Sequence, residues 1–353
     1  MIRRKLPVAV LGATGAVGQT FVRLLAAHPW FELQELAASE RSAGRRYGDA
    51  AHWIDGDPPR GIAERCVVPC TPEHVQSPVV FSALDSSVAG EVELAFARAG
   101  RFVLSNARNH RMEPDVPLLI PEVNPEHLAL LDRQRRERGW EGAIVTNGNC
   151  AVIVIAMALA PLHQRFGVRQ VFVTTMQAVS GAGYPGVPSL DILGNVIPFI
   201  AGEEEKIAPE TCKFLGRVTD GVLHPAQIAV SAQVTRVPVQ HGHTVSLAVA
   251  LERRASQRDV FAAFAEWRGA PQARELPSAP ERPLILHDAV DRPQPRRDAD
   301  AGGGMSVTVG AVRADSILDV RLVATGHNTV RGAAGASVLN AELLVAQGVI
   351  PAT

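Results

Sequence analysis

The stretch VAVLGATGAVGQTF, residues 8–21, decides the fold. Its first four residues are apolar and read as the end of a short buried strand. Gly12, Gly15 and Gly18 follow at a spacing of three, and a helix-forming run begins at Ala16. A strand, a glycine turn and a helix in that order let backbone amides at a helix start approach a pyrophosphate. The spacing is G-x-x-G-x-x-G rather than G-x-G-x-x-G, so the flanking strand and helix carry the reading.

Outward from this turn the pattern repeats. Leu6–Leu11 reads as a strand and Ala16–Ala27 as a helix ending at His28–Pro29. Phe31–Ala38 and Val79–Leu84 read as further strands. DSSVAGEVELAFARAG (85–100) reads as a helix stopped by Gly100, and Phe102–Ser105 as another strand. This β-α-β alternation predicts an α/β domain with a doubly wound parallel sheet of Rossmann type. Gly12, Thr14, Gly15, Ala16 and Val17 are the predicted cofactor contacts at the turn. The second strand ends in Ser39-Glu40-Arg41-Ser42. The hydroxyls of Ser39 and Ser42 with the guanidinium of Arg41 suit a 2′-phosphate, so NADP(H) is the expected cofactor. Glu40 keeps a ribose diol, and hence NAD, open.

Composition narrows the class. The chain has 353 residues, enough for two domains, with 46% hydrophobic and 20% charged residues. A net charge of −1 and an aromatic content of 5% argue against a nucleic-acid partner. Four cysteines make no disulfide framework for this length, which points to a reduced, cytoplasmic setting. Cys66 and Cys70 have no second Cys/His pair at zinc spacing, so no metal is expected. The start MIRRKLPVAVLGATGAVG imitates a signal peptide, but its apolar run breaks at Gly12 into the glycine turn. The longest apolar run, Ala151–Leu162, is far short of the roughly 20 residues a membrane span needs.

The second half reads differently. Gln170–Met176 and Ile228–Arg236 alternate in period two, and Thr244–Leu251 does so more loosely. Such strands predict an antiparallel or mixed sheet covered on one face. Residues 275–304, rich in Pro, Arg, Asp and Gly, are expected to be a long loop. GAAGASVLNAELLVAQG (332–348) reads as a helix with Leu339, Leu343 and Leu344 on one face. The predicted organisation is a dinucleotide-binding domain over 1–149, completed by a C-terminal helical segment 331–353. An α+β catalytic and dimerisation domain with a mixed sheet covers 150–330.

TNGNCAVIVIAMALAPL (146–162) places Cys150 at the start of a buried helix. Helix-start amides stabilise a thiolate and are expected to lower the thiol pKa. VPVQHGHTVS (237–246) brings His241 and His243 after the Ile228–Arg236 strand. A histidine there can take the thiol proton and later return one to an intermediate. A third ligand for an HxH metal pair is not evident. A nicotinamide fold with an activated cysteine suggests an aldehyde dehydrogenase working through a thioacyl enzyme.

The chain resembles the aspartate-β-semialdehyde dehydrogenases, in their archaeal and fungal branch. The resemblance runs through GATGAVGQTF, SERSAG, SNARNHRM, NGNC, TMQAVSGAGYPGVPSLDI, IPFIAGEEEK, RVPVQHGH, DRPQPRRDADAGGGMSVTVG and GHNTVRGAAGASVLNAELL, in the family's order and over nearly the whole chain. It implies Cys150 as nucleophile, His243 as acid/base and Gln177 as the residue orienting the acyl group. It implies Arg236 on the substrate α-carboxylate, Glu203 on its amino group, and Lys206, Asn109 and Arg111 on its phosphate. Asn340 would contact the nicotinamide carboxamide, with Ser180 and Gly181 nearby. The implied reaction is reversible NADPH-dependent reduction of 4-phospho-L-aspartate to L-aspartate 4-semialdehyde and inorganic phosphate, in Lys, Thr, Met and Ile synthesis, by a homodimer or homotetramer. A malonyl-CoA or succinyl-CoA reductase on the same scaffold, and a non-catalytic regulatory homologue, are the alternatives. Two positions depart from the family pattern: Gly148 replaces a proline and Ala151 a hydroxyl residue.

Overall fold

The computed structural model describes residues 4–351. Residues 1–3 of the signal-like start and 352–353 of the predicted C-terminal segment lie outside the described residues. Six short strands form the first sheet: β1 (Leu6–Leu11), β2 (Phe31–Ala38), β3 (Val67–Pro69), β4 (Val79–Ser82), β5 (Phe102–Ser105) and β6 (Ala143–Thr146). All pair in parallel, in the order β3-β2-β1-β4-β5-β6. Strand order reverses beside β1, and that crevice at the strands' carboxyl ends is where such sheets bind ligands. Both faces are covered, as parallel sheets require. Val8 and Val10 face one core and Ala9 and Leu11 the other, with period two. The first core takes Phe21, Val22 and Leu25 of the Ala16–Leu25 helix; the second takes Phe96 and Ala97 of the Ser86–Arg98 helix. Asp85 caps that second helix by accepting the Ser87 amide.

The second sheet is mixed. It begins with β7 (Val168–Gln177). A separate hairpin, β8 (Arg217–Thr219) and β9 (Val222–His224), precedes β10 (Ala229–Arg236), β11 (His243–Leu251), β12 (Leu284–Leu286), β13 (Val307–Ala314) and β14 (Val320–Gly326). The sheet order is β10-β7-β11-β14-β13-β12. Along β7, Val171, Val173 and Thr175 are buried while Phe172 and Thr174 are exposed. The buried face packs on the Cys150–Phe166 helix, whose residues Val152–Leu162 share one core with Val245, Leu247, Val249, Leu322 and Ala324. A helix apolar on every side is a helix buried on every side.

Two expectations are corrected. Residues 275–304 are not all loop: Leu284–Leu286 adds as β12, parallel to β13, and Pro295–Asp298 forms a helical turn. The Asp298 carboxylate organises that turn, accepting hydrogen bonds from Arg292 and from the Gln294 amide. The C-terminal helix is Gly335–Ala346, preceded by a wider turn over Val330–Ala334, and it has no exposed face. Every residue from Gly335 to Val345 is buried. The helix completes the first sheet's core through Val338, Leu339, Leu343 and Leu344.

Candidate active site

Asn149 starts the Cys150–Phe166 helix. Its Oδ1 accepts the amides of Ala151 (3.0 Å) and Val152 (3.3 Å), which would otherwise lack partners at a helix start. Cys150 therefore sits on the first turn, with Sγ 3.0 Å from Nε2 of His243. His243 opens β11 and is fully buried. Its Nδ1 accepts the backbone N–H of Ala178 at 3.0 Å. A backbone amide only donates, so Nδ1 carries the lone pair and the neutral ring holds its proton on Nε2, facing sulfur. Burial, with the charges of Arg236 and His327, lowers the His243 pKa to about 3, so the ring is neutral.

The expectation of a lowered thiol pKa is overturned. Burial first, and the Glu203 carboxylate second, push the Cys150 thiol up to about 12. Arg111, Arg236 and the Ala151 amide pull the other way and do not prevail. The helix start is real, but desolvation of a thiolate outweighs it here.

The second sheet assembles the other groups. β10 and β7 run parallel with Arg236 opposite Gln177, and β11 pairs with β7 so that Thr244 lies opposite Met176. Gln177, Arg236 and His243 thus reach one edge from three adjacent strands. The Gln177 amide is buried beside Thr175 Oγ1 (3.3 Å) and Glu203 Oε2 (3.4 Å). Arg236 is buried and donates from Nη1 to the Ala178 carbonyl at 2.8 Å. Gly181 lies over the pair: a β-carbon there would stand 2.9 Å from His243 Cε1 and 3.0 Å from Arg236 Nη1.

Glu203 precedes the Glu204–Phe214 helix. Its carboxylate accepts from Asn149 Nδ2 (2.8 Å) and from Lys206 Nζ (2.6 Å). Two turns further along, Glu210 does the comparable work: it accepts the Asn149 backbone N–H at 2.6 Å and Arg111 Nη1 at 2.9 Å. Arg111 also donates to the Asn106 carbonyl at 2.7 Å. Lys213 then donates to the carbonyls of Arg111, Glu113 and Val116, at 2.6, 2.8 and 2.8 Å, and clamps their loop. The sequence reading missed Glu210 and Lys213. Their spacing from Glu203 and Lys206 is seven, two helical turns, which places them on the same face. Asn109 does not join this cluster. It is exposed, and its amide donates to the Ser86 carbonyl at 2.9 Å.

The Gly148 departure has a steric cause. A β-carbon there would lie 2.4 Å from the Phe214 ring. The ring fills the space a side chain at 148 needs. Ala151 is buried in the helix's first turn.

At the first sheet, Gly12 has φ +74°, and a β-carbon on it would lie 2.7 Å from the Ala83 carbonyl oxygen. Glycine is required there. Gly15 begins the next helix with no side-chain cap; its own amide goes to the Gly12 carbonyl at 3.1 Å, and the first-turn amides of Ala16 and Val17, beside Thr14, face the place for an anion. Ser39 and Ser42 lie in the turn just after β2, with the Ser42 amide on the Ser39 carbonyl at 2.8 Å, and Arg41 is exposed. These residues fit a phosphorylated dinucleotide. Ser180 Oγ accepts from Asn328 Nδ2 at 2.8 Å. Asn340 is fully buried, with Nδ2 3.4 Å from the Leu119 carbonyl and Oδ1 without a partner. His241 stacks on His327, ring centroids 5.0 Å apart. Among the described residues no group of three His, Cys, Asp or Glu side chains is placed to hold a metal ion.

Two family models match the chain: the semialdehyde dehydrogenase NAD-binding domain over residues 7–131 and the semialdehyde dehydrogenase dimerisation domain over 159–331. The aspartate-semialdehyde dehydrogenase of Archaeoglobus fulgidus is 52% identical, covering 97% of this chain and 99% of that protein. The crystal structure of the Candida albicans aspartate semialdehyde dehydrogenase with NADP is 42% identical, with a TM-score of 0.90 over 98% of this chain and 100% of that one. The Vibrio cholerae aspartate semialdehyde dehydrogenase II complexed with ASA is 27% identical, with a TM-score of 0.76 over 97% and 98% of the two chains. With these matches spanning both sheets, the chain belongs to the aspartate-semialdehyde dehydrogenase family, alongside its archaeal and fungal members.

Proposed function

We propose that this enzyme reduces 4-phospho-L-aspartate to L-aspartate 4-semialdehyde and phosphate with NADPH, reversibly, as a step of amino-acid biosynthesis. The observation that carries this reading is the Cys150 thiol at a helix start, 3.0 Å from a buried imidazole. Cys150 attacks the acyl carbon and its S–C bond forms as the C–O bond to phosphate breaks. The proton lost by sulfur balances the one gained by the departing phosphate. The bound dinucleotide supplies the hydride that reduces the thioacyl carbon. The oxyanion so formed expels the Cys150 thiolate as the aldehyde forms, and the thiolate regains a proton.

His243 is the acid/base group, acting through Nε2. Because the resting ring already holds its proton there, its first act is donation, to sulfur and then to the oxyanion. A second proton on the ring requires Nδ1 to release the Ala178 amide. Gln177 orients the acyl group. The guanidinium hydrogens of Arg236 not used on Ala178 bind the α-carboxylate as a fork. Glu203 takes the substrate ammonium, which disfavours an acyl-CoA substrate lacking an amine. Arg111 and Lys206 face the phosphate end. Gly12, Thr14, Gly15, Ala16 and Val17 hold the pyrophosphate, and Ser39, Arg41 and Ser42 the 2′-phosphate. Asn340, with its unpartnered Oδ1, meets the carboxamide near Ser180 and Gly181.

In this reading residues 1–149 with 331–353 bind the dinucleotide, and 150–330 carry catalysis and self-association as a homodimer or homotetramer. The chain works in the cytoplasm; its four free cysteines support a reducing compartment. No helix among the described residues is long and apolar enough to cross a membrane. The test is NADPH formation from L-aspartate 4-semialdehyde and NADP. Turnover is expected to require phosphate and to vanish in Cys150→Ser. Phosphate-independent turnover, or a Cys150→Ser protein near wild-type rate, would sink the assignment.

A further inference from the structure

Asn149 caps the Cys150–Phe166 helix, but only half of the cap is local. Its Oδ1 takes the amides of Ala151 and Val152. The reciprocal contact, from the third helical residue back to the backbone amide of the capping residue, needs a Glu or Gln at that place. Val152 stands there and its side chain has no acceptor. Glu210, 61 residues along the chain, takes that amide instead, at 2.6 Å. Its carboxylate is buried and divides its oxygens: Oε2 goes to Asn149 and Oε1 to Arg111 Nη1, at 2.9 Å.

The other end of the same turn is held from the first half of the chain and from the C-terminal turn. The Asn147 side-chain amide donates to Asn106 Oδ1 at 3.1 Å and to the Ala333 carbonyl at 2.9 Å. Arg111 joins the two holds, since its Nη2 donates to the Asn106 carbonyl at 2.7 Å while Nη1 meets Glu210. Between them Gly148 has no slack: a β-carbon on it would stand 2.4 Å from the Phe214 ring and 3.4 Å from Glu210 Oε2. Cys150 follows this turn directly. Its thiol must meet both His243 Nε2, 3.0 Å away, and the acyl carbon. Misplacing a reacting atom by about 1 Å costs on the order of 10²-fold in rate.

We propose that Glu210 is a positioning residue: it completes the cap of the Cys150 helix from a distant helix, and so holds the nucleophile in register with His243 and the acyl group. It acts through the Asn149 amide. Arg111 is its anchor and keeps its remaining donors for the phosphate. The role rests on the proposed acylation of Cys150, and alkylation of the same thiol tests the geometry without that reaction. Glu210→Gln separates the two contacts, because its amide accepts at one end and donates at the other. The charged guanidinium takes the accepting end. The NH2 end then faces the Asn149 N–H, donor against donor, and the cap is lost. Adding Arg111→Met frees the carbonyl to turn to Asn149. Glu210→Asp keeps the charge for Arg111 but is one methylene too short to serve both partners.

The test compares two rates in wild type, Glu210→Gln, Glu210→Asp and Glu210→Gln/Arg111→Met, with NADPH binding as the check that each is folded. Glu210→Asp carries the test if Glu210→Gln does not fold. The first rate is the burst of NADPH from L-aspartate 4-semialdehyde and NADP without phosphate, normalised to its amplitude. Both single variants are expected to lower it roughly 10–100-fold. Their half-saturating aldehyde concentration should stay within about twofold of wild type, because Arg236 and Glu203 still hold the substrate. The double variant is expected to be at least about fivefold faster than Glu210→Gln. The second rate is alkylation of Cys150 by iodoacetamide, read by mass spectrometry of the peptide. A loosened turn lets water reach the buried sulfur, so the single variants are expected to alkylate about threefold faster or more, and the double variant close to wild type. Slower acylation beside faster alkylation marks a displaced nucleophile, whereas a merely structural loss would lower the burst amplitude and leave both rates per site unchanged. Single variants within about twofold of wild type in either rate, or a double variant no faster in the burst than Glu210→Gln, would overturn the proposal. A wild type without a burst rejects the proposed reaction, and alkylation then decides Glu210 alone: equal rates reject it, and faster rates restored in the double variant uphold it.

Discussion

Cys150 rests as a thiol because its surroundings are drier than its place on the helix suggests. With the pKa pushed up to about 12, the protonated form dominates throughout the neutral range, and reactivity follows the small thiolate fraction. The alkylation rate of Cys150 is therefore expected to keep rising from pH 6 to about pH 10, by close to tenfold per unit. A plateau below about pH 8 would show a thiolate already formed at rest. His243 tests the proton inventory. Replacing it with Ala removes the Nε2–H donor and is expected to lower kcat roughly 10²–10³-fold. His243→Gln keeps an N–H donor near the Nε2 position and is expected to be at least tenfold faster than the Ala variant. Equal rates for the two would mean that a hydrogen-bond donor at this position is not enough and that the ring must pass its proton on. Cys150, His243, Gln177, Arg236 and Glu203 were legible from their motifs, and the fold brings them together. Glu210 was not, because a buried carboxylate that holds a backbone amide looks in sequence like any helix-surface glutamate. The thiol pKa was not legible either, since desolvation depends on packing that no local motif encodes.

The turn at Val330–Ala334 and the helix it leads into hold the nucleophile from behind. Gly332 lies against Cys150 so closely that a β-carbon would stand 2.7 Å from the cysteine β-carbon. The neighbouring Arg331 is fully buried and pairs in a fork with Glu122, at 2.7 and 2.8 Å. Removing one partner of such a pair strands a buried charge. Glu122→Ala is expected to destabilise the fold by about 3–5 kcal/mol in chemical denaturation. A loss under about 1 kcal/mol would show that water or another group takes over the guanidinium. The strands β2 and β5 and the Ser86–Arg98 helix follow the sequence reading to within a residue or two, because alternation and an Asp cap are local signals. The leucine face of the C-terminal helix, Leu339, Leu343 and Leu344, is legible in the sequence and lies in the first sheet's core. Its small residues, Gly335, Ala336 and Ala341, are buried too, and they let it sit wholly inside. Leu284–Leu286 was hidden by the prolines and charges around it, and pairing with β13 supplies what its three residues lack.

Two sheets with separate cores meet along the cleft that holds Cys150, and the second sheet leaves one face uncovered. Phe172 on β7 is 51% exposed. Leu190, Leu193 and Phe199 are still more so, on a segment that pairs with β10 through Ile197 and Arg236. Exposed apolar residues of this size mark an interface. Light scattering is expected to give a dimer or larger assembly, and Phe172→Lys with Leu190→Glu to shift it toward monomer. A monomeric wild type would contradict that. The period-two alternation of β7 and β10 made this one-sided sheet legible, whereas the 190–199 segment gave no periodic signal. Acyl transfer to Cys150 is the step on which the proposed activity depends. The measurement that reaches it is incubation with L-aspartate 4-semialdehyde and NADP in the absence of phosphate. One NADPH per active subunit should form at once, and mass spectrometry should find one aspartyl group on the peptide bearing Cys150. Added phosphate should then release it and start turnover. Turnover with no adduct on that peptide, or an adduct on another residue, would contradict the account.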